Sequence, residues 1–193
     1  RLGVDVLDLG VVRDDPDLLE TALRLAAADA DVVITSGGVS VGEADYVRGL
    51  LARIGRVSFW KIAMKPGRPL TFGHVENALF FGLPGNPVAV MVTFYQFARP
   101  ALVKLMTGRE EPPLLFSAEC VSRLRKRPGR TEFPRGVLGR GADGGLTVEL
   151  AGRQGSGVLR SMSLADCFVV LPEEQGDLEP GDRVLVQPFA GLI

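Results

Sequence analysis

The sequence predicts an α/β domain followed by a small all-β domain. Three observations carry that reading. The first hundred or so residues alternate β-type and helix-type hydrophobic spacing, with Val32, Val33 and Ile34 forming an apolar run of the kind a strand buried on both faces requires. Two Gly/Pro-rich breaks, Ser36-Gly37-Gly38 and Gly82-Leu-Pro-Gly-Asn-Pro87, follow predicted strands, where open α/β sheets bind ligands. Beyond the linker-like stretch Gly108–Pro113 the helical spacing stops, and short strands separated by Gly, Pro and Asp turns take over.

In chain order, Val4, Val6, Leu7, Leu9, Val11 and Val12 predict a strand over Gly3–Val12. Asp15 is placed to cap a helix and Pro16 suits its first position. Leu18, Leu19, Ala22, Leu23, Leu25 and Ala26 then recur at helical spacing, so an amphipathic helix should reach about Ala28. With the Val32–Thr35 strand this makes a β-α-β unit with a crossover long enough for parallel pairing. A short helix over Asp45–Arg53 and strands over Val57–Ala63, Leu70–Gly73 and Ala78–Phe81 follow, the last two joined by a hairpin turn at His74–Asn77. Asn86-Pro87 starts a helix to about Met106 that Pro100 should kink or divide. The remainder predicts strands at Leu115–Leu124, Phe133–Arg140, Leu146–Leu150, Cys167–Leu171 and Arg183–Pro188, with one helical turn at Ser161–Ala165. These strands suit a small barrel or sandwich.

The 193 residues are 46% hydrophobic and 23% charged, a composition that packs rather than stays disordered. A net charge of -1 argues against general nucleic-acid binding. Cys120 and Cys167 lie far apart without CxxC or His partners, so neither zinc nor a disulfide framework is signalled. No apolar run approaches a membrane span and no signal peptide is visible, which makes the cytoplasm the expected location. The chain opens on Arg1 and its first residues already read as a strand, so an N-terminal part is expected to precede it.

The groups suited to chemistry cluster around the two glycine breaks. Gly37 and Gly38 let the backbone come close to a ligand, with Ser36 and Ser40 beside them. Lys61, Lys65 and Arg68 supply cations for an anionic ligand. Asp45 is placed to hold a divalent metal or orient an oxyanion, while Glu43 reads as a helix-start carboxylate. Gly85 and Asn86 open a helix whose free N–H groups suit a phosphate. Arg153-Gln154-Gly155-Ser156-Gly157 reads as an ordinary polar turn able to present Ser156. The basic run Arg123, Arg125, Lys126, Arg127 and Arg130 reads as a solvated face.

The motifs SGGVSVGEAD, FWKIAMKPGRPLTFG and GLPGNPVAV, in this order and spacing, resemble the MoeA (molybdopterin molybdenumtransferase) family, whose eukaryotic relative is the gephyrin E domain. RPGRTEFPRGVL, RQGSGVLRSMSLADCF and GDRVLVQPF extend the resemblance to the end of the chain. It implies a three-layer, MogA-like molybdopterin-binding α/β domain at residues 1–108, lacking its first strands, and a C-terminal β-barrel at residues 109–193. The implied reaction is transfer of molybdenum from molybdate into adenylylated molybdopterin, with AMP released and Mg²⁺ or a similar divalent cation taking part. Asp45, Lys61, Lys65 and Ser156 match functionally important positions of that family, with Asp45 toward the metal. A cytoplasmic homodimer is implied, with a MogA-like adenylyltransferase and molybdoenzymes as partners, and neither nucleic acid nor membrane. A fragment of this length is expected to hold half a site. Two alternatives are a MogA-like adenylyltransferase, against which the β-rich part and the Lys61/Lys65 pair count, and a gephyrin-like scaffold with a peptide groove.

Overall fold

A computed structural model describes residues 2–37, 45–155 and 157–189. The chain divides into two compact units: residues up to Ile62 together with Gly67–Phe94, and Ala63–Pro66 together with Tyr95 onward.

In the first unit α1 (Pro16–Asp29) begins as the sequence requires. The Asp15 carboxylate accepts from the N–H groups of Asp17 and Leu18, both at 3.0 Å, and Pro16 occupies the first turn. β1 (Val32–Ser36), α2 (Asp45–Ile54), β2 (Gly55–Lys61), β4 (Pro69–Val75) and β5 (Ala78–Leu83) follow, and α3 (Pro87–Thr93) closes the unit. The strands form one sheet in the order β1-β5-β4-β2, with β1 parallel to β5 and the other pairs antiparallel. Leu23, Ala26 and Ala27 of α1 and Leu50, Leu51 and Ile54 of α2 bury against Val33, Val75 and Phe80. Burying a side chain of this size removes about 1.5–3 kcal/mol of exposure penalty, and the helical and strand periods put these residues on one side.

Two local expectations fail here. Residues 3–12 form no strand, and Val6 and Val11 are 81% and 98% exposed. Their alternation suits a sheet, but a strand needs a partner strand to take its backbone hydrogen bonds, and among the described residues no strand pairs with them. The hairpin turn is also shorter than the sequence suggested. β4 runs through His74 to Val75, and the reversal is made by Glu76, at φ 50°, and Asn77.

α3, a π-helical turn (Phe94–Ala98) and α4 (Arg99–Thr107) follow one another directly. The division expected at Pro100 therefore falls just before it. Proline lacks an N–H and its ring collides with the carbonyl four residues back, and a wider π turn relieves that clash. The 21-residue stretch Pro87–Thr107 is long and apolar enough to cross a membrane by length and composition, contrary to the expectation from the sequence. Core helices meet the same measure, and Val88, Ala89, Val92, Ala98 and Val103 are buried inside the protein.

The second unit contains a closed five-stranded barrel. β6 (Phe116–Cys120), β8 (Arg135–Arg140), β9 (Leu146–Leu150), β10 (Cys167–Val170) and β11 (Arg183–Pro188) close in the order β10-β11-β6-β9-β8, so the barrel rather than the sandwich is correct. Closure leaves no unpaired edge. Ala118, Cys120, Val148, Cys167, Val169, Leu178, Val184 and Val186 fill the interior. A short parallel pair, β3 (Met64–Lys65) with β7 (Thr131–Glu132), belongs to the same unit, as does α5 (Arg160–Leu164). Lys126 is not on a solvated face. It is buried, its ammonium donating to the carbonyls of Glu173 (3.2 Å) and Gln175 (2.8 Å) and its N–H to Asp177 (2.8 Å).

Candidate functional site

Strand direction alone brings most of the sequence-selected groups of the first unit to one rim. Ser36 at the end of β1 lies beside Leu83 at the end of β5. β4 runs the other way, with Thr71 beside Gly82, and β2 reverses again, with Lys61 beside Pro69. The carboxyl ends of β1, β5 and β2 and the amino end of β4 thus share one edge of the sheet. Ser36 and Gly37, then Gly85 and Asn86, then Arg68, then Lys61 are set out along it. At about 4.8 Å per strand the row spans roughly 14 Å from β1 to β2. Ser36, Gly85, Lys61 and Arg68 are exposed, and the Ile62 N–H donates to the Arg68 carbonyl at 2.8 Å, fixing the two cation-bearing ends.

The two glycine breaks meet. The Gly37 N–H donates to the Leu83 carbonyl at 3.1 Å, and a β-carbon on Gly85 would stand 3.4 Å from the Gly37 α-carbon. Gly37 has φ +90°, a conformation that L side chains rarely adopt. The backbone at the ends of β1 and β5 is therefore bare of side-chain bulk where a phosphate could approach. Asn86 stands at the N-cap of α3 with its carbonyl accepting from Val90 at 2.9 Å. Its side chain makes no cap bond, unlike that of Asp15.

A cleft of ≈ 510 Å³ runs along the edge of β1 away from β5, lined by Val6–Val12, α1 and β1 as far as Gly37. Its walls are largely apolar, and Lys61 and Arg68 are not among them. The cations that the sequence singles out for an anion, Lys61 and Arg68, sit on the rim instead.

Lys65 belongs to the second unit. Its ammonium lies 3.1 Å from the Glu132 carboxylate, whose side chain is 7% exposed against 52% for the lysine. In the same unit the loop after Ala151 is held by buried groups. Arg135, 1% exposed, donates from Nε to the Ser161 hydroxyl (3.0 Å) and from its guanidinium to the Gly155 carbonyl (3.1 Å). Burial pushes its pKa down from the usual guanidinium value. Gln154 pairs with the Arg135 backbone in both directions, accepting at 2.8 Å and donating at 3.0 Å. Gln154 and Gly155 precede Ser156 in the chain.

Gly38, Ser40, Glu43 and Ser156 lie outside the described residues, and of Asp45 the backbone, at the start of α2, is described but not the side chain. Among the described residues no three His, Cys, Asp or Glu side chains gather as a metal site. Mg²⁺ does not require such a group, because it is commonly held by one or two carboxylates plus substrate phosphates. Sequence reasoning missed Glu132, Arg135 and Gln154. The signal was present in Thr131-Glu-Phe-Pro-Arg135, where two charges flank an apolar pair, but their burial depends on contacts far away in the chain.

Residues 1–104 match the probable molybdopterin-binding domain, and residues 117–189 match the MoeA C-terminal region, domain IV. The chain belongs to the MoeA family. The relatives of this MoeA-family chain include a molybdopterin molybdenumtransferase from Haemophilus influenzae, 44% identical over all of the chain and 48% of that protein, and a gephyrin from Dictyostelium discoideum, 34% identical over 91% of the chain and 28% of that protein. A crystal structure of a molybdopterin biosynthesis MoeA protein from Pyrococcus horikosii superposes with a TM-score of 0.75 at 30% identity, covering 93% of the chain and 42% of that structure. The chain spans about half the length of the curated molybdenumtransferases it matches.

Proposed function

We propose that this chain is the part of a molybdopterin molybdenumtransferase that helps to bind adenylylated molybdopterin and molybdate, in an enzyme that inserts the metal into the pterin dithiolene and releases AMP. The observation that carries the reading is the rim, where bare backbone at Gly37 and Gly85 is followed by Arg68 and Lys61 along one sheet edge. Backbone N–H groups and a helix start suit a phosphate, and two exposed cations suit the molybdate dianion. Fixed charges aimed at an anion stabilise it without reorganisation when the reaction occurs. In this reading Gly37 and Gly38 let the terminal phosphate approach, with Ser36, Ser40 and Asn86 as its polar neighbours. Lys61 and Arg68 draw in the dianion.

Lys65 and Ser156 are assigned by the family resemblance as groups acting on the substrates. Asp45 is the carboxylate this chain offers to a divalent cation such as Mg²⁺, which when bound would offset phosphate charge. The same proposal makes the working form a cytoplasmic homodimer completed by the rest of the protein. A closed barrel after α4 counts against the adenylyltransferase alternative. The test uses the full-length protein, adenylylated molybdopterin and molybdate, and follows AMP by chromatography and metal by mass spectrometry. Molybdate-dependent AMP release is expected. AMP formation from ATP and molybdopterin without metal uptake, or peptide capture without turnover, would replace the proposal by the corresponding alternative.

A further inference from the structure

We propose that Glu132 is a positioning residue for Lys65. It acts through that ammonium and does not touch substrate. The inference rests on the reading of Lys65 as a substrate-facing cation.

The pair has an inside and an outside. Glu132 is 5% exposed, and its side chain points its carboxylate at an ammonium whose own side chain is 52% exposed. Both backbones are fixed. Lys65 and Glu132 are directly in register in the β3–β7 ladder. The N–H groups of Thr131 and Phe133 donate to the carbonyls of Ala63 and Lys65, each at 2.9 Å. On its other side Glu132 exchanges backbone hydrogen bonds with Leu171, at 2.9 and 3.0 Å. The carboxylate is thus an immobile anchor reached from the interior.

A lysine ammonium carries three donors on a flexible stem. One donor at 3.1 Å from Glu132 fixes where the nitrogen stands and leaves two donors for an anion on the solvent side. The carboxylate also offsets the lysine's charge. Lys65 then contributes direction more than long-range attraction. A surface lysine held only by solvent would not need a buried carboxylate, which is costly to desolvate.

The test is a cycle in the full-length enzyme with adenylylated molybdopterin, varying molybdate, for wild type, Glu132→Gln, Lys65→Gln and the double variant. Glutamine keeps the shape and removes the charge. Positioning predicts that Glu132→Gln lowers kcat by about tenfold, the loss expected for one misplaced charged hydrogen bond. Half-saturation by molybdate should not rise, because net positive charge near the site has increased. The double variant should be no slower than Lys65→Gln alone, since a residue acting through another has no effect once that other is gone. If Glu132→Gln fails to fold, Glu132→Asp keeps the charge, withdraws it by one methylene and should show the same kcat loss. Wild-type kcat in the Glu132 variants beside a slow Lys65→Gln overturns the positioning role alone, as does an additive double variant. Wild-type kcat in Lys65→Gln overturns the reading of Lys65 and the positioning role with it.

Discussion

Replacing Lys65 by Gln should destabilise the second unit, although the residue is half exposed and Lys61, four residues earlier, should be replaceable at little cost. The difference lies in what each leaves behind. Lys61 is exposed and forms no ion pair among the described residues, so Lys61→Gln should fall within about 0.5 kcal/mol of wild type. Lys65→Gln strands the carboxylate of Glu132, whose side chain is 7% exposed, without its cation. Breaking a fully buried pair costs about 3–5 kcal/mol. Half of Lys65 is in water, which screens the interaction, and loss of a single charged hydrogen bond is worth about 1.5–3 kcal/mol. We expect a loss of about 1–3 kcal/mol at the β3–β7 pair. The direct reporters are the amides of Thr131 and Phe133, which donate to Ala63, just before β3, and to Lys65 within it. In full-length protein their hydrogen exchange should accelerate by about five- to a hundred-fold. A second change, Glu132→Gln, should recover much of that protection in the Lys65→Gln background. Unchanged exchange at both amides, or no recovery in the double variant, refutes the reasoning.

Other consequences concern local geometry. Gly37→Ala forces an L side chain into φ +90°, at about 1–2 kcal/mol, and should weaken molybdopterin binding measured by equilibrium titration. Gly49→Ala, on an open face of α2 with nothing near the new carbon, should instead stabilise by about 0.5–1 kcal/mol and leave binding unchanged. Arg135→Met removes the bonds to Ser161 and to the Gly155 carbonyl, so trypsin should cut after Arg153 about tenfold faster in folded protein. Equal cutting rates would mean that Gln154 alone holds the loop. The Cys167 thiol is pushed up to about 12, first by burial and then by the Asp166 charge. At pH 8 it is a thiolate about once in ten thousand molecules, so iodoacetamide should label it after unfolding and not before.

Much of this architecture is legible in the order of residues. Asp15-Pro16 starts α1 because the cap needs nothing beyond the next three residues. The five strands after the linker are legible because Gly, Pro and Asp turns separate them, while their closure into a barrel rather than a sandwich is set by pairing between distant strands. The rim was half legible: Ser36-Gly37 and Gly85-Asn86 announce themselves by composition, but their meeting follows from β1 pairing with β5, which no local pattern states. Where tertiary partners decide, the sequence misleads. Residues 3–12 have strand spacing and no pairing strand among the described residues, and Lys126 sits in a basic run yet is buried, its ammonium held by carbonyls from a distant loop. Lys65 reads as one of three similar cations until Glu132, 67 residues away in the chain, sets it apart.

The measurement that bears most directly on the rim as an anion site is a molybdate titration of full-length Lys61→Gln loaded with adenylylated molybdopterin, with metal incorporation and melting temperature followed together. Glutamine keeps most of the length and removes the charge. A desolvated charged hydrogen bond is worth about 1.5–3 kcal/mol, so the molybdate concentration for half-maximal incorporation should rise about ten- to a hundred-fold while the melting temperature stays at the wild-type value. A wild-type molybdate requirement in a folded Lys61→Gln protein would contradict the assignment of the rim to the anion.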